Sequence, residues 1–145
     1  MTYVGLADTL IPAGGSIHYW HEVQRALGYP DDFGDSYRMF AIPAAGHCGY
    51  GPGAWNVGVA AQFDITKGGG GQDAQHDAEH DMVLALIDWV EKDKAPDHLI
   101  GAHYIGDDKR NGVEFTRKLC PWPQEAVYMG GDASSAKSFE CRYVA

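Results

Sequence analysis

The chain of 145 residues carries 20 acidic against 11 basic side chains, a formal net charge of -9 and a pI near 5.0. That balance argues against nucleic acid and anionic membrane surfaces as partners, since both require a basic patch, and no apolar run approaches the roughly 20 residues that span a bilayer. At 45% hydrophobic and 21% charged residues, the composition is that of a folded globular chain of single-domain size.

The N-terminus, MTYVGLADTL, lacks the basic start and long apolar core of a signal peptide. Met1–Val4 reads as a short β-prone stub. A helix is expected from about Gly15 to Leu27, where Ile17, Trp20, Val23 and Leu27 recur at helical spacing and Gly28 provides the stop. YPDDFGD is expected to be a loop. Tyr37 to Pro43 reads as a strand, with Met39, Phe40, Ala41 and Ile42 a buried run.

That strand leads into Gly46-His47-Cys48, and residues 49–71 read as an irregular, surface-exposed, glycine-rich loop with KGGGG as a flexible tip. The strongest helix is DAEHDMVLALIDWVEKDK, with Met82, Leu86 and Trp89 beside Val83, Ile87 and Val90 on one broad face and Pro96 as the stop. HLIGAHYI follows as a strand, and short β-segments fill the last forty residues. Strand, helix, strand, loop, helix, strand is an α/β order. Three cysteines leave two readings: three free thiols, or a Cys120–Cys141 bridge with Cys48 left over.

Asp8 and His47 each follow a predicted strand, and their order matches the acid and base of an α/β-hydrolase triad. In that arrangement Asp8 fixes the tautomer of His47, and His47 takes the proton of a nucleophile.

Four blocks, GLADTLIP with the Tyr/Trp-bearing helix behind it, GHCGYGPGAWN, LALIDWVEKDKAP, and TRKLCPWP with a final Phe-x-Cys, occur in one order over nearly the whole chain. Together they resemble the C-terminal part of the tannase and feruloyl esterase family. The resemblance implies a fragment of an α/β-hydrolase sheet, its last strands and helices, forming a single partial catalytic domain over residues 1–145. It implies Asp8 and His47 as the acid and base of a Ser-His-Asp triad that cleaves small aromatic-acid esters of ferulate or gallate type. It pairs Cys120 with Cys141, and Cys48 with a cysteine beside the nucleophile that lies upstream of this chain. It also implies secretion.

The nucleophile half, the oxyanion hole and the lid domain with the family's calcium site have no counterpart here, so the chain itself is expected to bind no cofactor or metal. A missing N-terminal portion would complete the site. No serine precedes Asp8; Ser16, in GGSIH, lacks the closing glycine of a nucleophile elbow, and Ser36, Ser134, Ser135 and Ser138 lie outside any strand–turn–helix setting. The isolated chain is therefore expected to be inactive and, with an open sheet edge, to be poorly soluble or to associate. Asp93 and Lys118 depart from the family's usual glycine and proline.

Two other readings compete. His76 and His80, four residues apart in HDAEH, would share a helix face as metal ligands, with His98 or His103 as the third. Alternatively, Trp20, Trp55, Trp89 and Trp122 could furnish the surface of a non-catalytic, sugar-stacking interaction module.

Overall fold

A computed structural model of the chain describes residues 1–58 and 77–144. β1 (Thr2–Gly5) and β2 (Met39–Ile42) run parallel and adjacent, with Thr2 opposite Met39 and Gly5 opposite Ile42. Helix α1 (Ala13–Ala26) and the short helix α2 (Phe33–Ser36) lie between them in sequence. β2 alternates strictly. Phe40 and Ile42 enter one core cluster with Trp55, Leu99 and Leu119, while Met39 enters another with Val4, Trp20 and Phe33. A strand pair buried on both faces is the pattern of parallel sheet with helices on either side.

α1 covers the second cluster through Trp20, Ile17 and Val23. The first is covered by Met82 and Ala85 of helix α3 (Met82–Lys92). The remaining strands form two antiparallel pairs, β3 (Leu99–Tyr104) with β4 (Val113–Leu119) and β5 (Glu125–Tyr128) with β6 (Phe139–Arg142). Backbone contacts also join the pairs to the parallel layer. Phe40 bridges to Pro121, and Trp122 donates its backbone N–H to the Met39 carbonyl at 2.7 Å. Arg117 lies between the Phe115 and Phe139 rings, at 4.9 and 4.7 Å, tying β4 to β6.

The strand expectations match β1, β2 and β3 within a residue or two, and α1 starts two residues earlier than expected. Several expectations are corrected. YPDDFGD is not all loop: Phe33 opens α2, buried edge-to-face on Trp20 with ring centroids 5.1 Å apart. Leu27 falls on the exposed side past the end of α1. The stretch expected to be an exposed loop turns inward at its start: Ala54, Trp55, Asn56 and Val57 are all buried, and Asn56 exchanges two backbone hydrogen bonds with Ala102 on β3. Residues 59–71 of that stretch, including KGGGG, lie outside the described residues.

The face of α3 is also corrected. Met82 and Ala85 meet the core, whereas Val83, Leu86, Ile87 and Val90 are exposed. A helix apolar nearly all the way round does not announce in its sequence which side is covered. Nor does Pro96 end it. Asp93, at φ 54°, caps it in the left-handed conformation and donates its backbone N–H to the Asp88 carbonyl. A left-handed cap favours glycine. Asp93→Gly is therefore expected to stabilise the fold by about 0.5–1 kcal/mol, read as a melting temperature about 2–4 °C higher.

Candidate active site

Asp8 and His47 lie on the two turns that leave the same end of the parallel pair. The pairing of β1 and β2 continues past the strands, as Leu6 N–H donates to the Ile42 carbonyl at 3.0 Å and Ala7 N–H to the Ala45 carbonyl at 2.9 Å. This zipper places two residues 39 apart in sequence side by side: Asp8 Oδ2 and His47 Nδ1 are 2.9 Å from one another. The other carboxylate oxygen, Oδ1, accepts the backbone N–H groups of Leu10 and Ile11 at 2.8 and 2.9 Å.

These bonds fix which partner donates and which accepts. The Asp8 side chain is only 6% exposed, although its cover is its own turn and the His47 ring rather than depth in the core. The Ile11 amide above all, then His47 and the Leu10 amide, hold its carboxyl below the ordinary aspartate value, against the opposing pull of desolvation. An ionised carboxylate only accepts, so Nδ1 carries a proton in this contact, and the neutral tautomer that fits it has its lone pair on Nε2. His47 remains 44% exposed, so that lone pair can be reached.

The lowered Asp8 pKa has a signed consequence. A carboxyl that binds its proton less tightly when folded contributes stability in full above the ordinary value of 3.8 and loses it as pH falls through the lower folded value. The unfolding midpoint is thus expected to drop on acidification below about pH 4, with a shallower drop in Asp8→Asn. Equal slopes in paired thermal melts from pH 5 to pH 2 would count against it.

The His47 turn is held at several points. Gly46 N–H donates to the Tyr50 carbonyl at 2.9 Å, and His103 donates Nδ1–H to the Gly53 carbonyl at 3.0 Å. Tyr3 Oη donates to the Cys48 carbonyl at 3.1 Å. Burial, followed by the neighbouring Cys48, raises the Tyr3 pKa above the ordinary 10.0, so the hydroxyl keeps its proton. Sequence reasoning missed the Leu10 and Ile11 amides, Tyr3 and His103. The first two were signalled by an aspartate opening a turn, whose side chain habitually accepts from amides two and three residues on. Nothing in the sequence signalled the others.

Of the other predicted residues, Cys120 and Cys141 form a disulfide, and Cys48 is exposed beside His47. None of the chain's five serines hydrogen-bonds to His47. Ser134 Oγ donates to Asp132 Oδ1, Ser138 Oγ donates to the Asp132 carbonyl, and Ser16 lies in α1.

The metal reading loses its premise. His80 precedes α3 in a turn, with its Nδ1 2.7 Å from Asp77 Oδ1, and so presents no helix face; His76 lies outside the described residues. His103 is occupied by Gly53 and stacks on Phe115, and among the described residues no group of three or more His, Cys, Asp or Glu side chains could hold a metal. Of the four tryptophans of the aromatic reading, Trp20 and Trp55 are buried, Trp89 sits under the Arg38 guanidinium, and Trp122 is half-buried.

Comparison with known proteins agrees with the resemblance. The family model for tannase and feruloyl esterase matches residues 1–142. The chain belongs to the tannase and feruloyl esterase family. Among its relatives, a probable feruloyl esterase B-2 of Aspergillus terreus is 33% identical over 143 residues, covering 97% of this chain and 25% of the relative. An uncharacterized esterase of Xanthomonas campestris is 32% identical over 154 residues, covering 96% and 25%. An esterase from Aspergillus oryzae superposes with a TM-score of 0.78 at 28% identity, covering 97% of this chain and 26% of that one. Feruloyl esterase B from the same organism gives 0.74 at 26% identity, with the same coverage. The chain thus spans about a quarter of the length of the family members it matches. No helix among the described residues is long and apolar enough to cross a membrane.

Proposed function

We propose that this chain supplies the acid and base of a carboxylic ester hydrolase acting on esters of aromatic acids, with Asp8 as the orienting acid and His47 as the base. The observation that carries this reading is the 2.9 Å Asp8–His47 contact at the ends of two adjacent parallel strands, in a chain of this family. A serine from outside the chain would attack the ester carbonyl as His47 Nε2 takes its hydroxyl proton. The same proton then passes to the leaving alcohol as the acyl-serine forms, and water releases the acid by the reverse sequence. Asp8 stabilises the imidazolium in between. Backbone amides outside the chain would bind the oxyanion.

Three observations support an outside nucleophile: no serine meets His47, Ser134 and Ser138 are committed to Asp132, and the relatives are about four times as long. The family pairing of Cys48 with a cysteine beside the nucleophile would tie the His47 turn to that serine, limiting drift between groups that must meet at about 3 Å. Secretion belongs to the same proposal, resting on the family resemblance and the Cys120–Cys141 disulfide.

The test is a graft in which this chain replaces the aligned quarter of Aspergillus oryzae feruloyl esterase B. The isolated chain should leave a ferulate ester intact, and the graft should hydrolyse it in a His47-dependent manner. Turnover by the isolated chain that His47→Ala abolishes would instead make one of its own serines the nucleophile.

A further inference from the structure

The contact with Asp8 holds one nitrogen of the His47 ring, and a ring is held only as well as the backbone that bears it. That backbone is unusual. Ala44, Cys48 and Tyr50 take φ of 56°, 58° and 63°, the left-handed region that side-chain-bearing residues rarely adopt, within ten residues of one another. Local preference does not keep such a turn in place, so outside contacts must hold it.

Its fastenings differ in kind: His103 grips the Gly53 carbonyl, six residues past His47, the Gly46–Tyr50 hydrogen bond is internal to the turn, and Ala7 N–H holds the Ala45 carbonyl ahead of His47. Tyr3 is different. Its hydroxyl reaches the carbonyl of Cys48, the residue after His47, from the strand that also delivers Asp8. The Tyr3 ring is itself fixed, opposite Phe40 in the strand register and packed on the cluster of Phe40, Ile42 and Trp55.

We infer that Tyr3 is a positioning residue for His47: its hydroxyl clamps the His47 turn to β1, so that one strand presents the acid and fixes the base against it. The inference rests on the Asp8–His47 pair proposed above. It requires no chemistry of the phenol, only a donor at that point. A deletion of the hydroxyl alone therefore discriminates, because the ring keeps its packing and the exposed Cys48 carbonyl can turn to water.

The experiment is nitrogen-15 NMR of the histidine rings in this chain, comparing wild type with Tyr3→Phe, Asp8→Asn and His103→Gln. In wild type, neutral His47 should be protonated on Nδ1. Tyr3→Phe should lower the Nδ1–H to Nε2–H ratio by roughly three- to tenfold, the equivalent of one net hydrogen bond, and speed exchange of the Nδ1 proton while the melting temperature stays near wild type. His103→Gln should leave the ratio nearly unchanged. A ratio in Tyr3→Phe equal to wild type overturns the inference, as does an equal fall in His103→Gln. A wild type with no Nδ1 preference, matching Asp8→Asn, overturns the Asp8–His47 pair itself and the clamp with it.

Discussion

His47→Ala should lower ester turnover by the graft at least about 10^4-fold, with a far smaller change in substrate affinity. The expectation follows from the one free nitrogen in the pair. Without Nε2 nothing takes the serine proton, and neither of the nearby fastenings, Tyr3 or His103, presents a base to the same point, since both are committed to carbonyls.

Asp8→Asn should cost nearly as much, for a reason set by the turn. Leu10 and Ile11 both donate to Oδ1, so an asparagine must place its carbonyl oxygen there and aim its NH2 at His47. Nδ1 then has to accept, the ring proton moves to Nε2, and the imidazole presents a donor where a lone pair is needed. A loss of about 10^4-fold with the fold intact is expected, as for a wrong tautomer. Initial-rate kinetics over a range of ester concentrations read both variants, and an Asp8→Asn graft within tenfold of the parent would remove Asp8 from the assigned role.

The second large effect is on structure. Gly5→Ala should destabilise the chain by about 3 kcal/mol, the upper end for an added methyl in a packed site. A Cβ at Gly5 would stand 2.4 Å from the carbonyl oxygens of both Ala45 and Gly46. Those carbonyls are backbone, and Ala45 is already an acceptor for Ala7. Relief therefore means parting the Asp8 turn from the His47 turn, so activity in the graft should fall further than stability explains, by about 10^2-fold for a displacement near 1 Å. Gly15→Ala in α1 is the matched control. A Cβ there meets nothing within 4 Å, and the helix should gain up to about 1 kcal/mol. Urea melts of the two variants separate a crowding effect from a general intolerance of alanine; if both behave like wild type, the close approach at Gly5 does not limit the site.

The Asp93→Gly and acid-melt expectations concern smaller effects, and they share a lesson about legibility. Asp93 stood out in sequence as a departure from a usual glycine, and the structure gives the physical content of that departure, a left-handed cap. The acid-melt expectation required the two amides on Asp8, which no pattern of residue types displays.

By itself the sequence determined β1, β2, β3 and α1 and drew attention to Asp8 and His47. A continuous apolar run made Met39–Ile42 a strand, helical spacing made α1, and the blocks around Asp8 and His47 carried the resemblance from which their roles are proposed. These are short-range signals, carried by side chains within a turn or two of one another. Only the tertiary structure decided what crosses long distances. The parallel register of β1 and β2 brings Asp8 to His47 across 39 residues and Tyr3 to Cys48 across 45. Packing into the cluster of Phe40, Ile42, Trp55 and Leu99 selected Met82 and Ala85 as the covered side of a helix apolar nearly all round, and pairing with β3 drew Asn56 and its neighbours inward from a glycine-rich stretch. The reason is the same in each case: residue type fixes how strongly a side chain or amide seeks a partner, while the register of distant strands fixes which partner is there.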